Sequence, residues 1–474
     1  MRKDIRRTKI VCTIGPATSS PEKIRELILT GMDVARLNFS HGDHDSHCRT
    51  IRLIRRITGE LGREVGILQD LGGPKIRLGK LPSDERDLEA GETIILGPDE
   101  SPDPWRISVN YPYIVDDVSV GDRILLADGT VELRVEQKHE KYLITKVIVG
   151  GVIHSHKGVN LPASPLQIPA FTDKDRIDLA LGLREGVDFV ALSFVRHEKD
   201  LDPVREILDQ EEQRPMLIAK IEKPQALGRL EEILNKVDGL MVARGDLGVE
   251  MPLEEVPLIQ KRVIHAARRA AKPVITATQM LRSMMDNPRP TRAETTDVAN
   301  AVLDGTDALM LSEETAMGGY PIESVRVLDR IARATEGHLR EFTSPDEPVS
   351  GIPPTTESAI GRAACSIVWE LDVPAITAAT TSGSTARLIA CFRPSCPVLG
   401  LTPHLGTERQ LTLSWGVIPA LVPPFTEADE IFRLAGSWAL KYEIAVAGDR
   451  LVVTAGVPVG KPGTTNLLKV IEIE

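Results

Sequence analysis

The segment Met216–Gly248, MLIAKIEKPQALGRLEEILNKVDGLMVARGDLG, decides the fold. Two short apolar runs, Met216–Glu222 and Gly239–Asp246, flank an amphipathic stretch at Gln225–Val237. A strand, a helix and a second strand in this order are typical of a β/α unit with parallel strands. Both runs end in charged residues, so the segment predicts polar groups at the carboxyl ends of neighbouring strands.

The same alternation of apolar runs and amphipathic stretches extends over most of the chain. The runs predicted as strands are Lys9–Gly15, Asp33–Ser40, Val65–Asp70, Val187–Val195, Met216–Glu222, Gly239–Asp246, Pro273–Met280 and Ala308–Glu313. The stretches predicted as helices include Pro21–Met32, Asp173–Gly186, Gln225–Val237, Val256–Ala271 and Ile322–Gly337. Eight strands alternating with helices predict an α/β fold, a (β/α)8 TIM barrel.

Two other patterns interrupt and follow the barrel. Between residues 74 and 169 short β-like runs alternate with turn signals such as Asp128-Gly129, which predicts an inserted all-β domain. A polar, Pro-rich stretch at Phe342–Thr356 predicts a linker, and a second α/β pattern follows it. The predicted division is barrel 1–73, inserted β-barrel domain 74–169, barrel 170–342 and C-terminal α/β domain 343–474.

The composition excludes several classes of protein. The 474 residues include 57 Lys+Arg and 68 Asp+Glu, a formal net charge of −11, which argues against a nucleic-acid or anionic-membrane partner. Five cysteines without a CxxC pair argue against a disulfide framework or a thiolate zinc site. No apolar segment of signal-peptide length follows the basic N-terminus, and no apolar stretch approaches the length of a membrane span, so the sequence predicts a cytoplasmic protein.

Unusual polar residues cluster at the ends of the predicted strands, where barrel enzymes carry their active sites. Residues two apart share one face of a strand, so each strand would direct its polar groups to the same side. The residues selected in this way are Arg36, Asn38, Ser40, Asp70, Lys220, Glu222, Arg244, Asp246, Thr276 and Thr278. A surface-charge explanation does not account for so many charges in register within apolar runs.

This set of residues indicates anion chemistry with a hard divalent metal. Glu222 and Asp246 on adjacent strands are oxygen ligands suited to Mg²⁺ completed by water and substrate oxygens. The turn at Gly245–Gly248 is expected to open a short helix whose N–H groups hold a carboxylate or phosphate. Lys220 and Arg36 would neutralise a transferring phosphoryl group. The sequence contains no Walker A loop, Rossmann glycine pattern or protein-kinase motif set.

Several stretches resemble motifs of the pyruvate kinase family. They are KIVCTIGP (9–16), RLNFSHG (36–42), GVNLP (158–162), MVARGDLG (241–248), ITATQML (275–281), NPRPTRAE (287–294) and GTTN (463–466). The resemblance covers nearly the whole chain, and it implies phosphoryl transfer from phosphoenolpyruvate to ADP, the final step of glycolysis. It also implies Mg²⁺, with Mn²⁺ as an alternative, and a homo-oligomer, a tetramer in most members.

The resemblance implies a role for each matching residue. Arg36 would contact the substrate phosphate, and Lys220 would stabilise the transferring group. Glu222 and Asp246 would hold Mg²⁺, and Thr278 would bind the substrate carboxylate and belong to the region that protonates the enolate. The carboxylate would also meet the backbone of Gly245 and Asp246. The implied nucleotide contacts are Arg36, Asn38, Phe39, Ser40, His41, Arg77 and Lys157. Lys157 lies in the inserted domain, which would act as a lid.

One departure from the family pattern concerns the monovalent cation. Family members that need K⁺ hold it with the equivalents of Asn38, Ser40, Asp70 and the Leu71 carbonyl, near a glutamate that is Lys75 here. Because an ammonium group can replace the cation and would repel it, we expect that K⁺ is not required. The alternative is that Lys75 points to solvent and K⁺ still binds.

A second departure and one further site concern regulation and the nucleotide. Glu313 and Met317 stand where the family usually has glycine and lysine, which puts nucleotide contacts there in doubt.

In the C-terminal domain, the loop Thr381, Ser382, Gly383, Ser384 and Thr385 is rich in hydroxyls and suits a phosphorylated allosteric effector. An ordinary N-capped helix start is the alternative for this loop.

The sequence leaves two alternative functions and one alternative metal site. A class II-type aldolase would use a similar metal site but no nucleotide, and a catalytically silent effector-binding protein would show no turnover. His41, His44 and His47 could form a metal cluster, but their position at a loop and helix start favours a solvated surface.

Overall fold

The computed structural model describes residues 5–98, 106–162, 164, 166–342, 351–458 and 464–474. The chain begins with two β/α units and a third strand. These elements are β1 (Lys9–Thr13), α1 (Pro21–Thr30), β2 (Val34–Asn38), α2 (His44–Leu61) and β3 (Gly66–Asp70). The strands are short, buried and parallel, as expected of a sheet covered by helices.

A β-rich segment follows β3. Its elements are β4 (Glu85–Leu88), β5 (Thr93–Gly97), β6 (Arg106–Ser108), α3 (Ile114–Asp117), β7 (Arg123–Leu126), β8 (Val131–Lys138), β9 (Leu143–Val149), β10 (Gly151–His154) and β11 (Val159–Asn160). Strands β11-β7-β8-β9-β5-β6 form one sheet, and β10-β4 form a two-stranded sheet. Alternate residues along β8 and β9 are buried, which gives the segment a hydrophobic core of its own.

The barrel resumes after this segment. Its elements are α4 (Asp173–Glu185), β12 (Phe189–Leu192), α5 (Asp202–Leu208), β13 (Met216–Ile221), α6 (Pro224–Gly228), α7 (Leu230–Leu234), β14 (Gly239–Ala243), α8 (Arg244–Glu250), α9 (Val256–Arg269), β15 (Val274–Ala277), α10 (Arg292–Asp304), β16 (Ala308–Leu311), α11 (Glu313–Ala316), α12 (Pro321–Gly337) and α13 (Leu339–Phe342). Short 3-10 helices lie at Glu198–Leu201, Leu253–Glu255 and Arg282–Met285.

The barrel closes in the order β1-β16-β15-β14-β13-β12-β3-β2, so the predicted TIM barrel is confirmed. Inside it, Val11, Leu68, Ile218 and Met241 pack with the neighbouring inward side chains, while alternate residues face the helices. Leu413 of the C-terminal region belongs to the same inner cluster and is fully buried. The C-terminal region therefore covers the amino-terminal end of the barrel.

The C-terminal region is a separate α/β layer. Its elements are α14 (Thr356–Leu371), β17 (Ile376–Ala379), α15 (Ser384–Cys391), β18 (Val398–Thr402), α16 (Leu405–Leu411), β19 (Val417–Leu421), α17 (Ala428–Lys441), β20 (Arg450–Gly456) and β21 (Thr465–Glu472). Its sheet has the order β19-β18-β17-β20-β21, with β21 antiparallel. Most of the predicted linker, including the predicted boundary at residue 343, lies outside the described residues.

Local sequence signals begin and end several helices. Thr172, Thr291 and Thr355 each begin a helix with a capping box, in which the hydroxyl accepts a backbone N–H three residues on. Gly186 and Gly305 end α4 and α10 in the left-handed region, at φ 75° and 91°, where a side chain would be strained. Among the described residues, no helix combines the length and apolarity needed to cross a bilayer.

The observed elements differ from the predicted ones at their ends. Most barrel strands stop one to three residues before their predicted ends, so Glu222 and Thr278 follow their strands and Asp246 lies in α8. The predicted helix Gln225–Val237 is divided into α6 and α7. In the C-terminal region the sequence predicts strands near Ala375–Thr380, Val398–Leu401, Leu451–Ala455 and Leu468–Ile473, and β19 is not among them. Its Pro419 is accommodated because β19 is an edge strand.

Candidate active site

Lys220 is the centre of a buried charge network at the carboxyl ends of the strands. Its Nζ donates to Ser193 Oγ at 2.7 Å and lies 2.8 Å from Glu222 Oε1 and 3.3 Å from Asp70 Oδ1. Burial disfavours the ammonium charge, but Asp70 and Glu222 together raise the pKa of Lys220 above its ordinary value. The neighbouring carboxylates therefore favour the charged form of Lys220.

Arg36 provides a second cation beside it. Its Nε donates to Asp70 Oδ2 at 2.7 Å, and its Nη1 donates to Thr13 Oγ1 at 2.9 Å. Asp70 is 1% exposed, and although burial opposes its ionisation, Lys220 and Arg36 lower the pKa of this carboxyl. One carboxylate thus holds two cations next to each other.

Glu222 is buried between a cation and a second carboxylate. Its Oε2 accepts the backbone N–H of Phe194 at 2.8 Å. Burial raises the pKa of Glu222, Lys220 opposes this change, and Asp246 raises the pKa further. Two carboxylates whose charges repel in a buried site gain stability from a shared divalent cation.

The residues present fit Mg²⁺ with an incomplete protein shell. Within the described ranges, no group of three or more His, Cys, Asp or Glu side chains is arranged for a metal ion. Glu222 and Asp246 would therefore need further oxygens from water and substrate, which is the way Mg²⁺ is usually held in phosphoryl-transfer sites.

Thr278 lies at the end of β15 in a strained conformation. Its φ is +69°, in the left-handed region that a β-branched residue rarely adopts. Its Oγ1 accepts the backbone N–H of Gly245 at 2.8 Å and donates to Ala277 O at 2.7 Å. Arg244 pairs with Asp297 and donates to Thr278 O at 2.8 Å, which braces this turn against α10.

A cleft of about 400 Å³ separates the barrel from the inserted segment. Three predicted nucleotide contacts, His41, Arg77 and Lys157, line it together with Asp246. Arg77 and Lys157 come from the inserted segment, and Arg77 Nη1 donates to His156 O at 2.8 Å. The structure thus brings cations from two parts of the chain around one cavity next to the charge network.

The predicted residues outside the cleft have other surroundings. Phe39 is 3% exposed, and its ring stacks on His47 with ring centroids 4.1 Å apart. Its backbone N–H donates to Asp70 O at 3.0 Å, and its carbonyl accepts from Lys174 Nζ at 2.8 Å. Asn38 Oδ1 accepts the N–H of Ser40 at 3.1 Å. The Leu71 carbonyl accepts from Ser193 Oγ at 2.8 Å.

Thr276 does not belong to the site. Its side chain is fully buried and its Oγ1 donates to Thr306 Oγ1 at 2.9 Å. The prediction that Thr276 lies with Thr278 at the mouth is therefore wrong, because Thr276 is inside β15 and not at its end. Its hydroxyl is used for packing between β15 and the segment before β16.

Lys75 lines the cleft and is exposed to solvent there. Partial burial in the cleft, Arg77 and Lys220 lower the pKa of Lys75, whereas Asp246 and Asp70 oppose this change. Asp246 and Asp70 thus interact electrostatically with the Lys75 ammonium.

The two replacements near α11 are on the surface. Glu313 forms an ion pair with Arg282, and both side chains are about half exposed. Met317 is 61% exposed. The neighbouring Glu314 is buried and accepts the N–H groups of Ser312 and Leu281 at 2.7 and 3.1 Å, which links α11 to the loop after β15.

The loop that precedes α15 has the geometry of a hydroxyl-lined helix start. Gly383 adopts φ +82° at the N-cap position, and its N–H donates to Thr380 Oγ1 at 2.9 Å. Ser382 and Ser384 are exposed, whereas Thr385 is buried and bonds Thr465 Oγ1 at 2.7 Å. Two hydroxyls of the predicted effector loop are thus accessible, and a third is used internally.

Several residues of the site were not predicted from the sequence. Ser193 and Thr13 orient Lys220 and Arg36. Both follow or end barrel strands, so the rule that selected Glu222 could have found them. Glu250, by contrast, bonds Asn160 of the inserted segment, a contact without any signal in the local sequence.

Paired cations, a carboxylate pair and an adjoining cationic cleft at one end of a closed barrel are the features of a barrel phosphotransferase. Residues 5–325 match the family model of the pyruvate kinase barrel domain, and residues 358–471 match that of the pyruvate kinase alpha/beta domain. The chain belongs to the pyruvate kinase family.

Individual relatives cover almost the whole chain. A pyruvate kinase of Geobacillus stearothermophilus is 46% identical over 469 residues, which are 98% of this chain and 80% of the relative. Pyruvate kinase 2 of Synechocystis sp. is 48% identical over 98% of this chain and 79% of its own length. The crystal structure of a pyruvate kinase from Cryptosporidium parvum is 36% identical, with a TM-score of 0.94 over 99% of this chain and 96% of that one.

Proposed function

We propose that this protein transfers the phosphoryl group of phosphoenolpyruvate to ADP, giving pyruvate and ATP. The observation that carries the proposal is Lys220, buried between Asp70 and Glu222 with its ammonium charge fixed. In such a reaction the P–O bond to the enol oxygen breaks and a P–O bond to ADP forms, so positioning and charge stabilisation supply most of the catalysis.

Each residue near Lys220 has a role in this proposal. Arg36 binds the substrate phosphate, and Lys220 stabilises the transferring group as negative charge redistributes. The N–H groups of Gly245 and Asp246 at the start of α8 bind the carboxylate, for which Gly245 exchanges its bond to Thr278. Thr278 then lies beside the enolate carbon that takes up a proton.

Glu222 and Asp246 would hold the divalent ion. When bound, Mg²⁺, or Mn²⁺ in its place, supplies positive charge to the substrate oxygens. The buried position of Glu222 next to a second carboxylate supports this assignment.

The nucleotide site is proposed at the cleft between the barrel and the inserted lid. Its contacts are proposed to be Arg36, Asn38, Phe39, Ser40, His41, Arg77 and Lys157. The cationic lining of the cleft suits a diphosphate. Closure of the lid over this cleft would exclude water from the transfer.

Lys75 is proposed to replace the monovalent cation. Its electrostatic interaction with Asp70 and Asp246 supports this role, and its positive charge disfavours K⁺ at the neighbouring Asn38, Ser40, Asp70 and Leu71 carbonyl. Activity without added K⁺ is the consequence.

The remaining expectations stay predictions. They are a phosphorylated effector at residues 381–385, a homotetramer, a cytoplasmic location, and domain divisions at 73/74, 169/170 and 342/343. The exposed hydroxyls of Ser382 and Ser384 support the effector loop.

A coupled assay tests the proposed reaction. Pyruvate is measured with lactate dehydrogenase after phosphoenolpyruvate and Mg²⁺ are added, with and without ADP, and ATP is measured in parallel. Equal amounts of pyruvate and ATP, formed only with ADP, are expected. Carbon–carbon bond cleavage or formation without ADP would indicate an aldolase-type reaction, and no turnover by the folded protein would contradict the proposal.

A further inference from the structure

A second group of cations lies far from the charge network, where the C-terminal region covers the barrel. A small pocket there is lined by Arg268 at the end of α9, Asp307 before β16, Arg387 in α15, Arg393 after α15, and Ser414. The barrel and the C-terminal region both contribute to it, so its electrostatics act on the contact between them.

The pocket contains more positive than negative charge. Asp307 is the carboxylate in its lining, and its Oδ2 is 3.2 Å from Arg393 Nη2. Lys272, a further lining cation, donates to the backbone carbonyls of Leu234 and Val237. Asp238 is not a lining residue, but its negative charge attracts Arg387 and Lys272 and opposes the lowering of their pKa values.

Asp238 does not neutralise the pocket. Its Oδ2 accepts from Arg214 Nη1 at 2.7 Å and from the N–H of Leu217 at 2.8 Å. The negative charge of Asp238 is balanced by its ion pair with Arg214. One carboxylate, Asp307, therefore remains for three arginines.

Several donors on residues that line this pocket have no acceptor among the described residues. Arg268 Nε, Arg387 Nη1 and Arg393 Nε are buried atoms without a hydrogen-bond partner among the described residues. Ser414, which is 1% exposed, has a hydroxyl in the same state. Buried donors are rarely left without a partner, and charged donors least of all.

The titration properties are consistent with excess positive charge. Burial and the neighbouring Arg393 lower the pKa of Arg268 to about 10, and burial lowers the pKa of Arg387. Burial likewise lowers the pKa of Lys272. A negative ion among these groups would restore their ordinary preference for the charged state.

We propose that this pocket binds one small inorganic anion, of halide size, which joins the barrel to the C-terminal region. The enclosed volume is about 10 Å³, the space that one water-sized sphere requires. A halide therefore fits with small movements of the arginine side chains, whereas a sugar phosphate does not.

The site also has a physical link to the loop proposed for an effector. Arg387 lines the pocket, and its Nη2 donates to Ser382 O at 2.8 Å, while its Nη1 is buried without a hydrogen-bond partner among the described residues. An anion bound by Arg387 would hold its guanidinium in place and so brace the Ser382 backbone. This consequence depends on the geometry of Arg387 and not on the proposed reaction.

Thermal unfolding of the full-length protein tests the proposal. The melting temperature is measured over a chloride series at constant ionic strength, with gluconate as the replacement anion. We expect a saturable rise in melting temperature with chloride or bromide. Arg268→Met and Arg387→Met should each raise the half-saturating concentration by about tenfold or more. Arg330→Met, which removes a 69% exposed arginine from α12, should leave it unchanged.

Crystals of the unaltered protein soaked in bromide provide a second measurement that does not depend on the variants. An anomalous peak among Arg268, Arg387 and Arg393 is expected. Equal melting temperatures in chloride and gluconate, or no peak, would overturn the proposal. Saturable stabilisation by phosphate alone would overturn the halide assignment, since the pocket would then have to open for an oxyanion.

Discussion

Asn160 of the inserted segment and Glu250 of the barrel are joined by a hydrogen bond of 3.0 Å, from Asn160 Nδ2 to Glu250 Oε1. Lys223 Nζ donates to the same oxygen at 2.6 Å. Glu250 ends α8, the helix that contains Asp246, and Lys223 directly follows Glu222. The inserted segment, proposed to be a lid, is therefore connected to both elements that carry the proposed metal ligands.

Asn160→Ala should weaken lid closure without removing the Lys223–Glu250 pair. We expect kcat/KM to fall about tenfold, the value of one hydrogen bond to a charged group. More pyruvate should form per ATP, because water reaches the transferring group. Gln137→Ala, an exposed amide elsewhere in the lid, is the control. An unchanged pyruvate-to-ATP ratio together with wild-type kcat/KM would contradict the proposed connection.

Glu222→Gln should reduce the affinity for a divalent metal ion. The substitution keeps the shape of the side chain but removes one of two anionic ligands, so Mn²⁺ binding should weaken by about tenfold or more. Electron paramagnetic resonance of free Mn²⁺ measures this without catalysis. Glu254→Gln changes an exposed glutamate near α8 and should bind as the wild type does. Equal Mn²⁺ affinity in all three proteins would exclude Glu222 as a ligand.

Lys75→Glu should make the activity dependent on K⁺. The change replaces an ammonium group by a carboxylate near Asp70, so that a monovalent cation becomes favourable there. The wild type should be active in tetramethylammonium buffers, and the variant should require KCl. Lys80→Glu, with an exposed lysine in the same segment, controls for the change in net charge. A many-fold activation of the wild type by KCl would refute the proposed role of Lys75.

Glu294→Gln should destabilise the protein at neutral pH and less so in acid. Glu294 accepts from the N–H groups of Ser283 and Thr291 at 2.7 and 2.8 Å. Burial opposes ionisation, but the bonds from Ser283 and Thr291 hold the pKa of Glu294 below its ordinary value. The carboxylate therefore stabilises the folded state above the unfolded pKa, near 4.3, and loses this effect as the pH falls through the folded pKa.

Melting temperatures across an acid-to-neutral series measure this difference. At neutral pH the variant should lose about 1–2 kcal/mol, and the gap to the wild type should narrow below pH about 4. Glu212→Gln alters an exposed glutamate and should show no such pH dependence. A gap that stays constant with pH would show that the charge of Glu294 is not responsible.

Much of the fold could be predicted because its signals are local. Apolar runs alternating with amphipathic stretches define the order of barrel elements, and Thr172 and Thr291 begin helices by bonds within three residues. The residue types at strand ends, such as Lys220 and Glu222, also follow from the sequence, since parallel strands end at one face of a barrel. Strand β19 was not among the predicted strands; as an edge strand it accommodates Pro419.

The contacts that make these residues a site were decided only by the tertiary structure. Strand register and barrel closure bring Arg36 and Lys220 to Asp70. They also place Thr276 inside the sheet and Thr278 at the mouth of the barrel. Domain packing places Arg268 and Arg387 around one pocket. The amino-acid sequence by itself determined the element order and which chemical groups stand at each strand end, because periodicity and capping act over a few residues. The distances between groups far apart in the chain are determined by the packing of the complete fold, because burial of the apolar side chains selects one register for all the strands together.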